Sequence, residues 1–244
     1  MATLPDPLRD RYQRSLPVPL RAGHRVLDRG GCGRRHRPSG GAHAGGRAGL
    51  ARGGAMTPEA PMTLAGKVVL VGISGGIAAY KVGYVVSGLR RAGAEVHVLM
   101  TSAARAFVGP LTFRALSQRP VLVDLFDPET PWEEPHVILG ARADLMIIAP
   151  ATAHTLAKLA LGLADDPVAA TVVATRAPLL IAPAMSDLMY EHPTVRDHLE
   201  VLRARGAHIV GPEYGRLASG REGMGRMAEP ETILREALRL LGAA

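Results

Sequence analysis

A recurring unit constrains this chain more than any other feature: a short run of aliphatic and β-branched residues that stops abruptly at small or hydroxylated residues. "KVVLVGI" (67–73) ends in Ser74-Gly75-Gly76, and "IAAYKVGYVVSGLRRAG" then carries apolar residues at helical spacing as far as Gly93. The unit returns in "AEVHVLM" (94–100), "ADLMIIAP" (143–150), "APLLIAPAM" (177–185) and "AHIVGP" (207–212). Runs that do not alternate with polar residues have no wet face, so each strand must be covered on both sides. Strands of that kind, separated by helices, predict a mostly parallel sheet with right-handed crossovers, a doubly wound α/β fold. Ligands in such folds bind outside the carboxyl ends of the strands.

Charge divides the chain. Its formal net charge is +7, which taken whole would suggest an anionic partner, but residues 1–61 hold eleven arginines against four acidic residues. The excess is therefore confined to that segment, and residues 62–244, with 18 basic and 18 acidic side chains, are formally neutral. Nucleic acid is rejected as a partner of the domain. Residues 1–61 are rich in Gly, Ala, Arg and Pro and lack an apolar pattern able to build a core, so they are expected to be disordered or a mis-assigned N-terminal extension. Residues 62–244 are expected to form one domain. No segment reaches the roughly 18 uninterrupted apolar residues of a membrane span, so no membrane partner and a cytoplasmic location are expected. The single cysteine is Cys32, which leaves the domain without a disulfide, a Cys-ligated metal or a cysteine nucleophile.

Four clusters fall at the predicted carboxyl ends or beyond them. Ser74-Gly75-Gly76-Ile77 is a turn in which missing Cβ atoms let backbone approach an anion; tight packing alone would also account for it. The pattern is not GxGxxG, and the second strand runs into Met100-Thr101-Ser102 where a ribose-binding acid would stand, so a monophosphate suits it better than a dinucleotide. "PATAHT" (150–155) could cradle a ring edge or simply cap a helix through Thr152. In "PAMSDLMY" (183–190), Met185 and Met189 are four apart, a spacing found in pockets and more often in cores. "GRLASGREGMGRM" (215–227) reads as too irregular for an element and is expected to be a mobile loop over a site. His136, after Glu133-Glu134-Pro135, is expected near a helix N-terminus, where a neutral imidazole base is favoured; His154 and His192 compete with it.

Taken together and in order, "GISGGIAAYK", "MTSAARAFVGPLTFRALS", "PHVILGARADLMIIAPATAHTLAKLALGLADD", "PAMSDLMY" and "GRLASGREGMGRM" resemble the phosphopantothenoylcysteine (PPC) decarboxylase domain of coenzyme A biosynthesis. That family also includes peptidyl-cysteine decarboxylases. The resemblance implies a flavodoxin-like fold, FMN as cofactor and a homotrimer or a multiple of trimers. It implies a small-molecule thiol substrate and, because the chain ends soon after "PETILREALRLL", a ligase supplied as a separate protein. By the same resemblance Gly75, Gly76, Ile77, Thr101, Ser102, Thr152, Ala153, His154, Thr155 and Ala184 would contact FMN. Ser186, Met189, Leu217 and Ala218 would meet the substrate, His136 would be the catalytic base, and no metal is implied.

Two positions depart from the family pattern. Ser186 stands where the family's "PAMN" has a substrate-binding asparagine, and Ser219 where its "LACG" has a cysteine that serves as an acid. A hydroxyl offers one donor where an amide offers two, and it is a far weaker acid than a thiol. Three outcomes are compatible with these changes: PPC decarboxylation with altered site residues, oxidative decarboxylation of a peptidyl cysteine that stops at the enethiol, or a non-catalytic FMN-binding regulatory subunit.

Overall fold

The computed structural model describes residues 64–126 and 134–243. The expectation for residues 1–61 lies outside them. Six parallel strands form the central sheet in the order β3-β2-β1-β4-β5-β6. They are β1 (Val68–Ile73), β2 (Glu95–Met100), β3 (Val121–Leu122), β4 (Leu145–Ala151), β5 (Leu179–Pro183) and β6 (His208–Ile209). Without the two-residue edge strand β3, the other five run in the flavodoxin-like order, reversing direction of growth between β1 and β4.

Both faces are covered, as the unbroken apolar runs require. All six residues of β1 and all seven of β4 are buried. Along β1, Val69, Val71 and Ile73 point into one core, with α1 (Val82–Arg91), Phe113 of α2 (Pro110–Ser117), and Ile233 and Ala237 of α8 (Pro230–Leu240). Val68 and Leu70 point into the other, with α3 (Pro135–Arg142), α4 (Ala153–Leu161), α5 (Pro167–Ala174) and α7 (Pro193–Ala204). The period-two alternation of strand side chains thus divides one strand between two hydrophobic cores.

A helix joining two parallel strands runs back along the sheet, so the starts of α2, α3, α4 and α5 lie at the edge where the strands end. The stretch after β1 begins differently from the predicted continuous helix: Ile77–Lys81 is a 3₁₀ turn, and α1 starts at Val82. Residues 215–227 also differ from expectation. They contribute to an antiparallel hairpin of β7 (Glu213–Arg216) and β8 (Glu222–Arg226), and the mobile-loop reading is corrected accordingly. Glycines masked the strands, because at Gly225 (φ 151°) the backbone takes a conformation that other residues rarely adopt. Among the described residues no helix is long and apolar enough to cross a membrane.

Candidate functional site

Four adjacent strand ends are stitched together by a few hydrogen bonds. The buried Ser74 hydroxyl donates to the Pro150 carbonyl at 2.6 Å and accepts from the Thr152 N–H at 3.1 Å, binding the turn after β1 to the turn after β4. The Thr101 N–H donates to the Ile73 carbonyl at 3.0 Å, and the Ala184 N–H to the Ala151 carbonyl at 3.0 Å, which extends the seam to β2 and β5. Sequence reading passed over Ser74 as part of a glycine turn. Its signal was a hydroxyl placed where a fully buried strand ends, a position that demands partners.

Gly75 has a steric reason to be glycine. A Cβ there would lie 2.5 Å from the Ala103 Cβ and 2.9 Å from the Ala103 carbonyl carbon, so the turns after β1 and β2 touch at a distance no other residue allows. Gly76 is less constrained, with the nearest atom 3.4 Å from an added Cβ, and Ile77 is exposed.

The hydroxyls cap helices. Thr152 is the N-cap of α4, accepting from the Thr155 N–H at 3.4 Å, while Thr101 caps the 3₁₀ turn Ser102–Ala106 through the Ala104 N–H at 3.2 Å. Of the two roles weighed for Thr152 the capping one is present: its side chain caps the helix, and the remaining first-turn N–H groups at Ala153 and His154 have no intrahelical partner. Thr155 is buried, whereas Ser102 and His154 are exposed. This set of backbone N–H groups and hydroxyls fits a phosphate and the polar edge of a flavin, and Ile77 and Ala184 add apolar surface beside it.

His136 is the second residue of α3, after Pro135, as expected. It is half-buried, and its Nδ1 is buried with no hydrogen-bond partner among the described residues. His192 instead caps α7, accepting from the Thr194 N–H at 3.3 Å. A third histidine, His97, went unremarked in the sequence: it is buried within β2, 2.7 Å from Glu95, and burial pushes its imidazole pKa down while Glu95 opposes the shift. It stands three residues before the carboxyl end of its strand, outside the seam.

The hairpin docks on the turn after β5. Met185 donates its N–H to the Gly225 carbonyl at 2.9 Å. A Cβ on Gly225 would collide with the Met185 carbonyl, and one on Gly223 would lie 2.7 Å from the Asp187 Cβ. The two departing serines both accept from backbone: Ser186 caps α6 (Asp187–Glu191) through the Met189 N–H at 3.4 Å, and Ser219 accepts from the Arg221 N–H at 3.5 Å. Leu217 is buried and anchors the hairpin tip, while Ala218, Ser219 and Met189 are exposed. Ion pairs tie the hairpin base to its neighbours: Arg226 meets Glu213 at 2.9 Å and Glu229 at 3.4 Å, and Lys81 meets Glu229 at 3.0 Å.

Comparison with known proteins bears on this edge of the sheet. Residues 58–242 match the family model described as Flavoprotein. The chain is 47% identical over 173 residues to the coenzyme A biosynthesis bifunctional protein CoaBC of Escherichia coli, covering 71% of this chain and 43% of that protein. It thus spans less than half the length of the curated relative. Among solved structures it is similar to a cysteine-to-serine mutant of PPC decarboxylase complexed with pantothenoylaminoethenethiol, with a TM-score of 0.65 and 33% identity over 73% of this chain and 99% of that one. It is also similar to the FMN-dependent cysteine decarboxylase SpaF, with a TM-score of 0.63 and 33% identity over 74% of this chain and 99% of that one.

Proposed function

The chain belongs to the flavoprotein family, and from that premise we propose that it is an FMN-dependent decarboxylase, in the cytoplasm, that removes CO2 from the cysteine moiety of phosphopantothenoylcysteine to give 4'-phosphopantetheine. The observation that carries this reading is the seam at the carboxyl edge, where the Ser74 hydroxyl holds the turns after β1 and β4 together beside Thr101, Ser102 and the start of α4. The likeness to a PPC decarboxylase and to a CoaBC protein supports it.

Gly75, Gly76, Ile77, Thr101, Ser102 and the Thr152–Thr155 segment, with Ala184, would hold FMN. When bound, the flavin supplies a reversible two-electron redox step that opens a path for the loss of CO2. The chain itself orients the thiol and manages protons. His136 serves as the base. Ser186, Met189, Leu217 and Ala218 border the substrate, and Ser219 faces the position where a proton must reach the enethiolate left by decarboxylation.

A second reading has its own observation. A serine hydroxyl is a poor proton donor beside a cysteine thiol, so Ser219 favours a reaction that stops at the enethiol, as a peptidyl-cysteine oxidative decarboxylase would. A cysteine-to-serine mutant of a similar protein is complexed with an enethiol, which accords with this chemistry. The homotrimer is proposed on an exposed stripe, Ile77, Tyr80 and Tyr84, whose spacing of three and four places apolar surface beside the cofactor turn.

The test is mass spectrometry of phosphopantothenoylcysteine incubated with the full chain and FMN. Loss of CO2 alone supports the first reading, loss of CO2 with two hydrogens supports a reaction that stops at the enethiol, and unchanged substrate beside flavin-loaded protein overturns the first reading. His136→Gln is expected to lower kcat by roughly 10²–10⁴-fold while the flavin stays bound.

A further inference from the structure

The hairpin is held unevenly along its length. Its base is fixed by glycine contacts, by the Met185–Gly225 hydrogen bond and by the ion pairs of Arg226 with Glu213 and Glu229. The tip has fewer anchors. Within it the Leu217 N–H donates to the Arg221 carbonyl at 2.7 Å and the Gly220 N–H to the Leu217 carbonyl at 2.9 Å, bonds that shape the turn without attaching it to anything else. Beyond the packing of Leu217, the tip's side-chain attachment among the described residues is one ion pair: Arg221 Nη2 lies 2.8 Å from Asp187 Oδ2.

This pair joins the two altered positions. Asp187 follows Ser186 directly, and Arg221 stands two residues after Ser219, whose hydroxyl accepts from the Arg221 N–H. The pair is also asymmetric, because the Asp187 side chain is 11% exposed and that of Arg221 57%. Asp187 lies in the first turn of α6, where a carboxylate is favoured, and it is the fixed half. Arg221 is the half that can leave. Lys81 and Arg226, nearer the hairpin base, are already paired with Glu229 and Glu213.

We propose that the Asp187–Arg221 pair is a latch, a positioning pair that keeps the hairpin tip and Ser219 seated over the turn carrying Ser186. Its link to substrate rests on the decarboxylase reading; the latch itself does not. A substrate that binds only the seated form has its apparent affinity reduced by the fraction of molecules in which the tip has left, so the latch sets KM before it touches any chemical step.

The experiment uses the full chain with FMN and the variants Asp187→Asn, Arg221→Gln, their combination, and Arg221→Lys, with Arg203→Gln of the surface pair Arg203–Glu200 as a control. Amide hydrogen exchange is read first. Residues 217–221 are expected to exchange roughly three- to tenfold faster in both single variants, while Met185 and residues 74–77 and 152–155 stay unchanged. The double variant should be no worse than the worse single one, and Arg221→Lys should recover most of the loss. KM for phosphopantothenoylcysteine should rise by a similar factor, more than kcat falls, and about 0.5 M salt should move the native chain toward the variants without moving them.

Native exchange rates in both single variants would overturn the latch. Faster exchange with an unchanged KM would overturn its positioning role. Faster exchange in variants of a chain that does not turn over this substrate would support the latch and sink the decarboxylase reading, so the two failures are separable.

Discussion

The turns that follow β1, β2 and β4 and the hairpin that docks beyond β5 occupy one edge of the sheet but are built on different terms. The first region continues the buried strands: Ser74 and Thr101 bond to neighbouring strand ends, and Gly75 has no room for a side chain. The second is an added ribbon, seated by two glycines, one backbone hydrogen bond and a set of ion pairs. Of the two departures from the family pattern, Ser219 lies at the tip of this ribbon and Ser186 in the turn against which the ribbon docks. Under the proposed function, the turns assigned to the cofactor are fixed by the strands that end in them, while the surface assigned to the substrate is seated by contacts that side-chain changes can alter.

If that is right, substitutions in the first region should cost stability and flavin together. The largest effect is expected for Gly75→Ala, whose methyl group would meet Ala103 at 2.5 Å. Forcing the turns apart should destabilise the chain by about 1–3 kcal/mol and strip the flavin. Urea denaturation and the flavin-to-protein absorbance ratio read the two consequences. Ser74→Ala should follow at about 2 kcal/mol, since it leaves the Pro150 carbonyl and the Thr152 N–H without their shared partner in a buried seam. A stable variant with normal flavin content at either position would break the comparison, for it would show the first region to be as adaptable as the second.

The second region should respond in product and not in stability. Ser219→Cys places a more acidic group on an exposed tip, where the side chain has room. The ratio of fully reduced thiol to enethiol is expected to rise by roughly tenfold, with melting temperature and flavin content unchanged. Liquid chromatography with mass detection of the quenched reaction measures it. An unaltered ratio would mean that the final proton comes from elsewhere, and the comparison would lose its chemical half.

The first region was more legible in the sequence than the second, for physical reasons. Strands buried on both faces leave an unbroken apolar run, so β1, β2, β4 and β5 were readable to within about two residues, and the small residues after them located the edge. The strand β3, with two residues, has no run to read. The hairpin escaped because its inward positions in β8 are Gly223 and Gly225, which carry no side chain to register as apolar. Helix α7 was not singled out either, its start set by Pro193 after the His192 cap. Within the site, identities were readable and partners were not: nothing in "GISGG" says that its serine reaches across to Pro150, and nothing in "SGRE" says that its arginine meets Asp187.

The opposite edge of the sheet sharpens the comparison with the smallest expected effect. Asp144, just before β4, accepts from the Val68 N–H at 2.8 Å and pairs with Lys67 at 3.2 Å. The Val68 hydrogen bond, and behind it Lys67, holds the Asp144 carboxyl below the ordinary aspartate range. A depressed folded-state pKa contributes stability that is fully present above the unfolded-state value and is lost as pH falls through the folded one. The side chains are 32% and 43% exposed, so screening keeps the contribution small. Asp144→Asn should therefore lower stability slightly at neutral pH, by an amount that shrinks as the medium is acidified below the range in which a free aspartate titrates. Urea midpoints of the two proteins across that range should converge, while flavin content and KM at neutral pH match the native chain. A shift in either of those would mean that general loosening of the fold reaches the carboxyl edge, and the contrast drawn between its two regions would then reflect overall stability and not local construction.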